Sequence, residues 1–355
     1  MPFRANTLCN IYTAEMLEPD TEDTSQTETL PFEIKNRWLL PNIEAYYETR
    51  NGAAYIGDAL ELMKDIEDES VDLIMTSPPF ALTRKKRYGN VEPEKYVEWF
   101  EPFANEFWRI LQPRGNVVIH LGTSWCEGKP WKTLYVYELL LSLCSRYSKT
   151  FNLAQEFFWY NPARLPTPAE WVTVRRIRVK DSVDFIWRLC KNENAKADNR
   201  RVLKQYSESM RNLLKNGYRA KLRPSEHNIS KKFQRDHGGA IPSNLLVPSN
   251  LLVYSNTAST DRYLKLCREH RDIAKINPAR YPEEIPEFFI RFLTEPNDRV
   301  LDPFAGSNTT GYVAEMLGRR WMSFELIPEY VTGSIFRFTR DNIIKCKNHT
   351  ALKAL

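Results

Sequence analysis

The sequence predicts an α/β fold, doubly wound around a mostly parallel sheet. Three observations carry that expectation. Short apolar runs bounded by turn residues alternate with stretches of helical period before residue 160, and the alternation resumes at Pro286. A basic, turn-rich stretch without that rhythm separates the two series. The chain has 355 residues and is 42% hydrophobic, enough for one large α/β domain with an insertion, or for two modest domains.

The elements follow in order. The Ala-Ala-Tyr-Ile run ending at Ile56 reads as a strand, followed by Gly57-Asp58 and a helix over Ala59–Ile66. Val71–Met75 reads as a buried strand that stops at Thr76-Ser77-Pro78-Pro79-Phe80. A helix is expected over Pro93–Leu111, ended by Pro113 and Gly115. Asn116–Leu121 reads as a strand, Leu134–Tyr147 as a helix and Phe151–Tyr160 as a strand. After the basic stretch come a helix to Leu293, a strand over Arg299–Leu301, a helix over Thr309–Leu317 capped by Gly318, and a strand over Arg320–Phe324. The expected division is an N-terminal extension (1–50), one half of the α/β domain (51–170), an inserted basic region (171–271), the other half (272–342) and a tail (343–355).

Composition excludes several classes. The six cysteines include no C-x-x-C pair, so neither a zinc site nor a thiol redox motif is expected, and the pattern suits a reducing cytoplasm. The N-terminus lacks the apolar core of a signal peptide, and no run is long enough to span a bilayer, so no membrane role is expected. The formal charge is only +5, but Trp171–Arg235 carries 18 Lys/Arg against 6 Asp/Glu, a net +12 beside a remainder of −7. Such a segment suits a polyanionic partner.

Arg299-Val-Leu-Asp302-Pro-Phe-Ala-Gly306-Ser-Asn-Thr is a strand, an acid and a glycine turn before a helix, and Glu325 closes the next strand. An acid about 20 residues after such a turn can accept hydrogen bonds from ribose hydroxyls. The turn lacks G-x-G-x-x-G, which argues against a dinucleotide and for a nucleoside without a pyrophosphate. A cationic sulfonium nucleoside also tolerates nearby acids. The plainer alternatives are that Asp302 and Asp58 cap the helices that follow them. Otherwise Asp58 can accept from an adenine amine.

The two prolines after Ser77 make a stiff turn with carbonyl acceptors and few N–H donors. That suits a substrate presenting an amine. The exocyclic amine of a base is a poor nucleophile because its lone pair is delocalised into the ring. Acceptors that hold both N–H groups favour a pyramidal nitrogen. Ser77 Oγ and the Pro78 carbonyl can serve, with Phe80 stacked on the base, once the base has left the duplex. Read alone, the turn is an ordinary strand end.

Ser77-Pro-Pro-Phe80 and Asp302-Pro-Phe-Ala-Gly306 together resemble the amino-methyltransferases of bacterial restriction–modification systems. The motif order, with the basic region between the two motifs, resembles the permuted β class, and most of all its PvuII-type cytosine-N4 enzymes. The similarity runs from about Ala54 to Asn342 and includes the segments at 170–181 and 277–282. The resemblance implies a Rossmann-like, circularly permuted methyltransferase sheet that uses S-adenosylmethionine. It implies a catalytic turn at Ser77, Pro78, Pro79 and Phe80. It implies cofactor contacts from Asp58, Pro278, Asp302, Phe304, Gly306, Ser307 and Glu325. Serine in the first motif position implies cytosine N4, with adenine N6 as the alternative. Where relatives carry an acid at the end of the strand Val117–Ile119, this chain has His120. A neutral imidazole accepts a proton near neutral pH. Equally, a strand-end histidine can be satisfied by a carbonyl.

Double-stranded DNA is the expected partner, with phosphate contacts from Arg175, Arg176, Arg178, Lys180, Arg223, Lys231 and Lys232, and from Arg84, Lys85 and Lys86 just after the catalytic turn. The alternative for these residues is a solvated surface. A cognate restriction endonuclease is expected to be linked in function without being bound, and the chain to act as a monomer or weak dimer. A C5-cytosine enzyme is excluded by the absence of a Pro-Cys pair. A catalytically inactive DNA-binding protein and an RNA methyltransferase remain the rival classes. The PSNLLV duplication at 242–253 reads as a local repeat in a loop or strand pair.

Overall fold

Every residue of the run VDLIMT, strand β3 (Val71–Thr76), is buried, as a strand covered on both faces requires. The computed structural model describes residues 38–81, 90–146, 150–217, 235–247 and 262–355. Among them the remaining strands are β1 (Tyr47–Thr49), β2 (Gly52–Ile56), β4 (Leu111–Leu121), β5 (Asn152–Tyr160), β6 (Val183–Cys190), β7 (Leu245–Leu246), β8 (Arg299–Asp302), β9 (Arg320–Glu325) and β10 (Ile343–Cys346). They form one sheet in the order β10-β1-β2-β9-β8-β3-β4-β6-β5-β7. The central run from β2 to β4 is parallel. β6 is antiparallel to both β4 and β5, and β1 is antiparallel to β2 and β10.

Side chains alternate between two cores with the period of a strand. Tyr55, Ile74, Val117, Ile119, Leu301 and Phe324 point to one core. Ala54, Leu73, Met75, Val118, Val300 and Trp321 point to the other. The first core is closed by α1 (Ala59–Met63), α2 (Tyr96–Ile110) and α3 (Tyr135–Leu141). The second is closed by α5 (Arg262–Glu269), α6 (Glu284–Leu293), α7 (Thr309–Met316), α8 (Pro328–Ser334) and α9 (His349–Lys353). The helix α4 (Glu208–Asn216) buries no side chain. Among the described residues no helix is long and apolar enough to cross a membrane.

The connection from β3 runs to β4 on one side, and that from β8 runs to β9 on the other. β3 and β8 are neighbours, so their following loops leave the sheet in opposite directions and a crevice opens between them. Crevices at such switch points, at the carboxyl ends of parallel strands, are where α/β sheets bind ligands.

Three expected boundaries do not match the sheet. Residues 47–49 are not extension: Tyr47 is fully buried against Trp321 and Phe338, and its hydroxyl meets Ser334 Oγ at 2.8 Å. Residues 343–346 are not a loose tail but a sheet strand. Within 171–271, the apolar run VDFIWRLC forms β6 between β4 and β5, so that region contributes to the sheet. β4 also begins at Leu111 rather than Asn116, because the chain turns straight from α2 into the sheet with a register shift near Asp72. Residues 1–37 and 248–253, the latter holding the second PSNLLV copy, lie outside the described residues.

Candidate active site

A cavity of about 230 Å³ fills the crevice. Its lining comes from the carboxyl ends of four parallel strands: Gly57 and Asp58 after β2, Ser77 to Phe80 after β3, Pro303 to Ser307 after β8, and Glu325 at the end of β9. Trp99 and Phe103 of α2 add an aromatic wall against Phe304, with ring centroids 6.0 and 4.9 Å away. Asn277, Ala279, Arg280 and Tyr281 close the opposite side.

The glycine turn is built by backbone geometry. Gly306 has φ +53°, and a Cβ there would fall 2.1 Å from Asn277 Nδ2. Its N–H donates to Glu325 Oε2 at 2.8 Å, and Ile327 N–H donates to Oε1 at 2.9 Å. Burial pushes the Glu325 carboxyl above its usual range despite these bonds. Ser307 is held by Arg337, whose Nε donates to its carbonyl at 2.7 Å and whose Nη2 donates to its Oγ at 3.0 Å. Asp58 caps α1, accepting from Leu60 N–H at 2.8 Å, and also lines the cavity.

Two expected cofactor residues are placed otherwise. Asp302 is buried and does not line the cavity. Its Oδ1 accepts from Thr76 Oγ1 at 2.8 Å and Phe304 N–H at 3.1 Å, and its Oδ2 from Thr310 Oγ1 at 2.6 Å and Tyr281 at 3.3 Å. Burial raises its pKa, and these donors only partly offset that. Asp302 thus braces the ends of β3 and β8 where the crevice opens. Pro278 is also absent from the lining, while its neighbours Asn277 and Ala279 are present. Asn277 Oδ1 accepts from Ala279 N–H at 2.9 Å, which turns the chain and leaves Pro278 outside.

The Ser77–Phe80 turn faces the same cavity. Tyr96 donates to the Pro79 carbonyl at 2.8 Å and fixes the turn to α2. Phe80 sits over Gly122, where a Cβ would come within 2.6 Å of its ring, so only glycine lets the ring lie against the end of β4. His120 is buried, off the cavity wall but behind Ser77, with Nδ1 2.9 Å from Ser77 Oγ. The imidazole packs edge-on to Phe80 and Tyr281 and tilted against Trp159. Its other nitrogen faces Asp184 of β6 at 3.7 Å.

Arg175 and Arg176 are exposed, with Arg175 lying over the Trp171 ring at 4.9 Å. Arg178 is committed locally: it covers the Trp125 ring at 3.9 Å and donates to the Pro130 carbonyl. Lys180 donates to the Pro162 carbonyl at 2.6 Å. Arg84, Lys85, Lys86, Arg223, Lys231 and Lys232 lie outside the described residues. Sequence reasoning missed Asp184, Trp99 and Phe103, while Asn277 and Tyr281 fall in the segment at 277–282 that the family resemblance had already marked.

A doubly wound sheet, a glycine turn tied to a strand-end acid and a Ser-Pro-Pro-Phe turn on one cleft are the features of an α/β methyltransferase. Comparison with known proteins gives the family. The DNA methylase family model matches residues 71–336. The type II methyltransferase M.PvuII of Proteus hauseri is 47% identical over 300 residues, covering 84% of this chain and 86% of that protein. M.BglII of Bacillus subtilis is 26% identical, covering 78% and 66%. The solved structure titled PvuII DNA methyltransferase (cytosine-N4-specific) superposes with a TM-score of 0.67 at 40% identity, covering 88% of this chain and 97% of that one. The chain belongs to the DNA methylase family.

Proposed function

We propose that this protein transfers a methyl group from S-adenosylmethionine to the exocyclic N4 of cytosine in duplex DNA, within a restriction–modification system. One observation carries the reading: Ser77, Pro78, Pro79 and Phe80 share a single cavity with Gly306 and Glu325. The 47% identical relative and the structural neighbour titled cytosine-N4-specific support the same base.

The cavity fits the cofactor chemically. Glu325 offers a carboxylate at the nucleoside end, rings of Phe304, Trp99 and Phe103 offer apolar walls, and the Gly306 turn leaves room that a Cβ would fill. Glu325 is the acceptor for ribose hydroxyls and Asp58 for the adenine amine. Bound there, S-adenosylmethionine supplies an electrophilic methyl group.

The chain's own residues do the rest. A base rotated out of the duplex meets Phe80 with its face and the Ser77–Pro78 segment with its amine. Ser77 Oγ can donate to His120 Nδ1 while its lone pairs accept one amine N–H, and the Pro78 carbonyl accepts the other. Both bonds localise the nitrogen lone pair for attack. His120 is the proton acceptor behind Ser77. Trp99, Phe103 and Phe304 give one side of the cavity an apolar wall.

Residues 171–271 carry target recognition in this reading, with the exposed Arg175 and Arg176 meeting phosphates. The endonuclease partner acts on the same DNA site without a lasting complex, and one molecule suffices for one strand. The reading places the protein in the cytoplasm, where the free thiols Cys126, Cys144, Cys190, Cys267 and Cys346 stay reduced. Mass spectrometry of nucleosides from DNA modified by this protein tests the base. N4-methylcytosine is the expected product; N6-methyladenine, or no methylated base, contradicts the reading.

A further inference from the structure

Asp184 is a buried carboxylate that the proposed transfer has not used. It is 1% exposed, and its Oδ1 has no hydrogen-bond partner among the described residues. His120 Nε2, 5% exposed as a residue, has none either. These two atoms belong to groups that face each other, with Nε2 3.7 Å from Asp184 Oδ2. Unpaired buried polar atoms are costly, and two of them on facing side chains call for a reason.

We propose that Asp184 is a positioning residue for proton removal, acting through His120 on Ser77. The proposal rests on the amine-transfer reading above.

The geometry supplies the chain. Ser77 Oγ and His120 Nδ1 are 2.9 Å apart, so a neutral ring that accepts from Ser77 must carry its proton on Nε2. A carboxylate facing Nε2 favours that tautomer, and it stabilises the cation that forms when Nδ1 takes a second proton. A distance of 3.7 Å is longer than a hydrogen bond, and such contacts tighten when substrate binds. Arg164 keeps the carboxylate ionised: its guanidinium pairs with Oδ2. Burial pushes the Asp184 carboxyl upward, but the imidazole and the guanidinium outweigh it and hold the group below its usual range.

The groups facing the imidazole are few. Ser77 and Phe80 approach from the turn after β3, Trp159 from β5, Tyr281 from the segment before α6, and Asp184 from β6. Tyr281 is a neutral phenol, since burial holds its pKa well above the ordinary value. Arg164 meets Asp184 on the Oδ2 that faces the ring. Asp184 is therefore the charge that acts on His120 directly among the described contacts.

The balance is simple. The N4 lone pair forms the new N–C bond, the electrons of the broken C–S bond stay with sulfur, and N4 holds one proton too many. That proton passes to Ser77 Oγ as the Ser77 proton passes to His120 Nδ1. The imidazolium then faces Asp184 and returns its proton to water after product leaves.

The test uses the full chain as wild type, Asp184→Asn and Asp184→Glu. The first variant is expected to lose about 10- to 100-fold in kcat, with KM for DNA and for cofactor within about twofold. Asp184→Glu restores part of the rate. A wild-type kcat in Asp184→Asn, or an equal loss of cofactor affinity and rate, overturns the proposal. A second measurement needs no turnover and no variant: ¹⁵N NMR of the His120 imidazole in the cofactor-free wild type. A neutral ring protonated on Nε2 is expected, and one protonated on Nδ1 overturns the relay even if both variants misfold. Wild-type protein that forms no methylated amine sinks the functional reading instead, and the NMR result still judges the Asp184–His120 arrangement.

Discussion

Gly306 donates its N–H to Glu325 Oε2 at 2.8 Å, so the turn after β8 and the end of β9 are locked together at the mouth of the cleft. The left-handed backbone of Gly306 and its contact with Asn277 leave no room for a side chain. Gly306→Ala is expected to weaken cofactor binding at least about tenfold, by forcing apart groups that now touch. Isothermal titration with the cofactor checks this, and wild-type affinity would remove the turn from the binding site.

Glu325 stands where burial disfavours its charge. An acid whose folded-state pKa is raised binds its proton more tightly folded than unfolded, so its contribution to stability falls as pH rises above the ordinary carboxylate value. Glu325→Gln lacks that loss. The melting temperature of the cofactor-free variant should therefore gain on wild type as pH rises from about 4.5 through the raised value. Its cofactor affinity should fall about 10- to 100-fold for lost bonds to a charged acceptor. Melting curves across pH, with and without cofactor, read both effects.

Asp302 has a different task. Its four donors come from β3, the turn after β8, α7 and the segment before α6. Asp302→Asn turns one acceptor into a donor that faces other donors. A loss of about 2–3 kcal/mol of stability is expected, measured by denaturant unfolding. A variant of wild-type stability with selectively lost cofactor binding would return Asp302 to the cofactor's wall.

The exposed pair Arg175 and Arg176 tests the DNA interface. Replacing both by Ala should weaken DNA binding for all sequences and flatten the dependence of log K on log salt by about one unit for each phosphate left unneutralised. Fluorescence anisotropy at several salt concentrations gives the slope, and an unchanged slope assigns these side chains to solvent.

Much of the fold was legible because burial on both sheet faces writes itself as apolar runs, as in Val71–Met75 and Arg320–Phe324. The motifs around Ser77 and Gly306 were legible because prolines and a left-handed glycine restrict the backbone locally. Asp184 was not. It enters the site because β6 pairs antiparallel with β4, placing Leu121 opposite Phe185. That register brings together residues about 64 apart in sequence, and no local period encodes it. The role of Asp302 escaped for the same reason: the acid-before-glycine pattern is local, but its donors at Thr76 and Tyr281 arrive through the sheet and a distant loop. β6 itself was hidden by the charges around it, although VDFIWRLC is as apolar as the strands that were read.

The turn at Ser77 shares one cavity with Glu325 and the glycine turn, so the proposed tasks of holding the amine and holding the cofactor fall on separate residues. The most direct measurement takes one preparation of Ser77→Ala and records both cofactor affinity and methyl incorporation into duplex DNA. Affinity within about twofold of wild type and incorporation at least about 100-fold slower is the result expected when a preorganised hydrogen bond to the reacting group is removed. Incorporation at the wild-type rate contradicts the account.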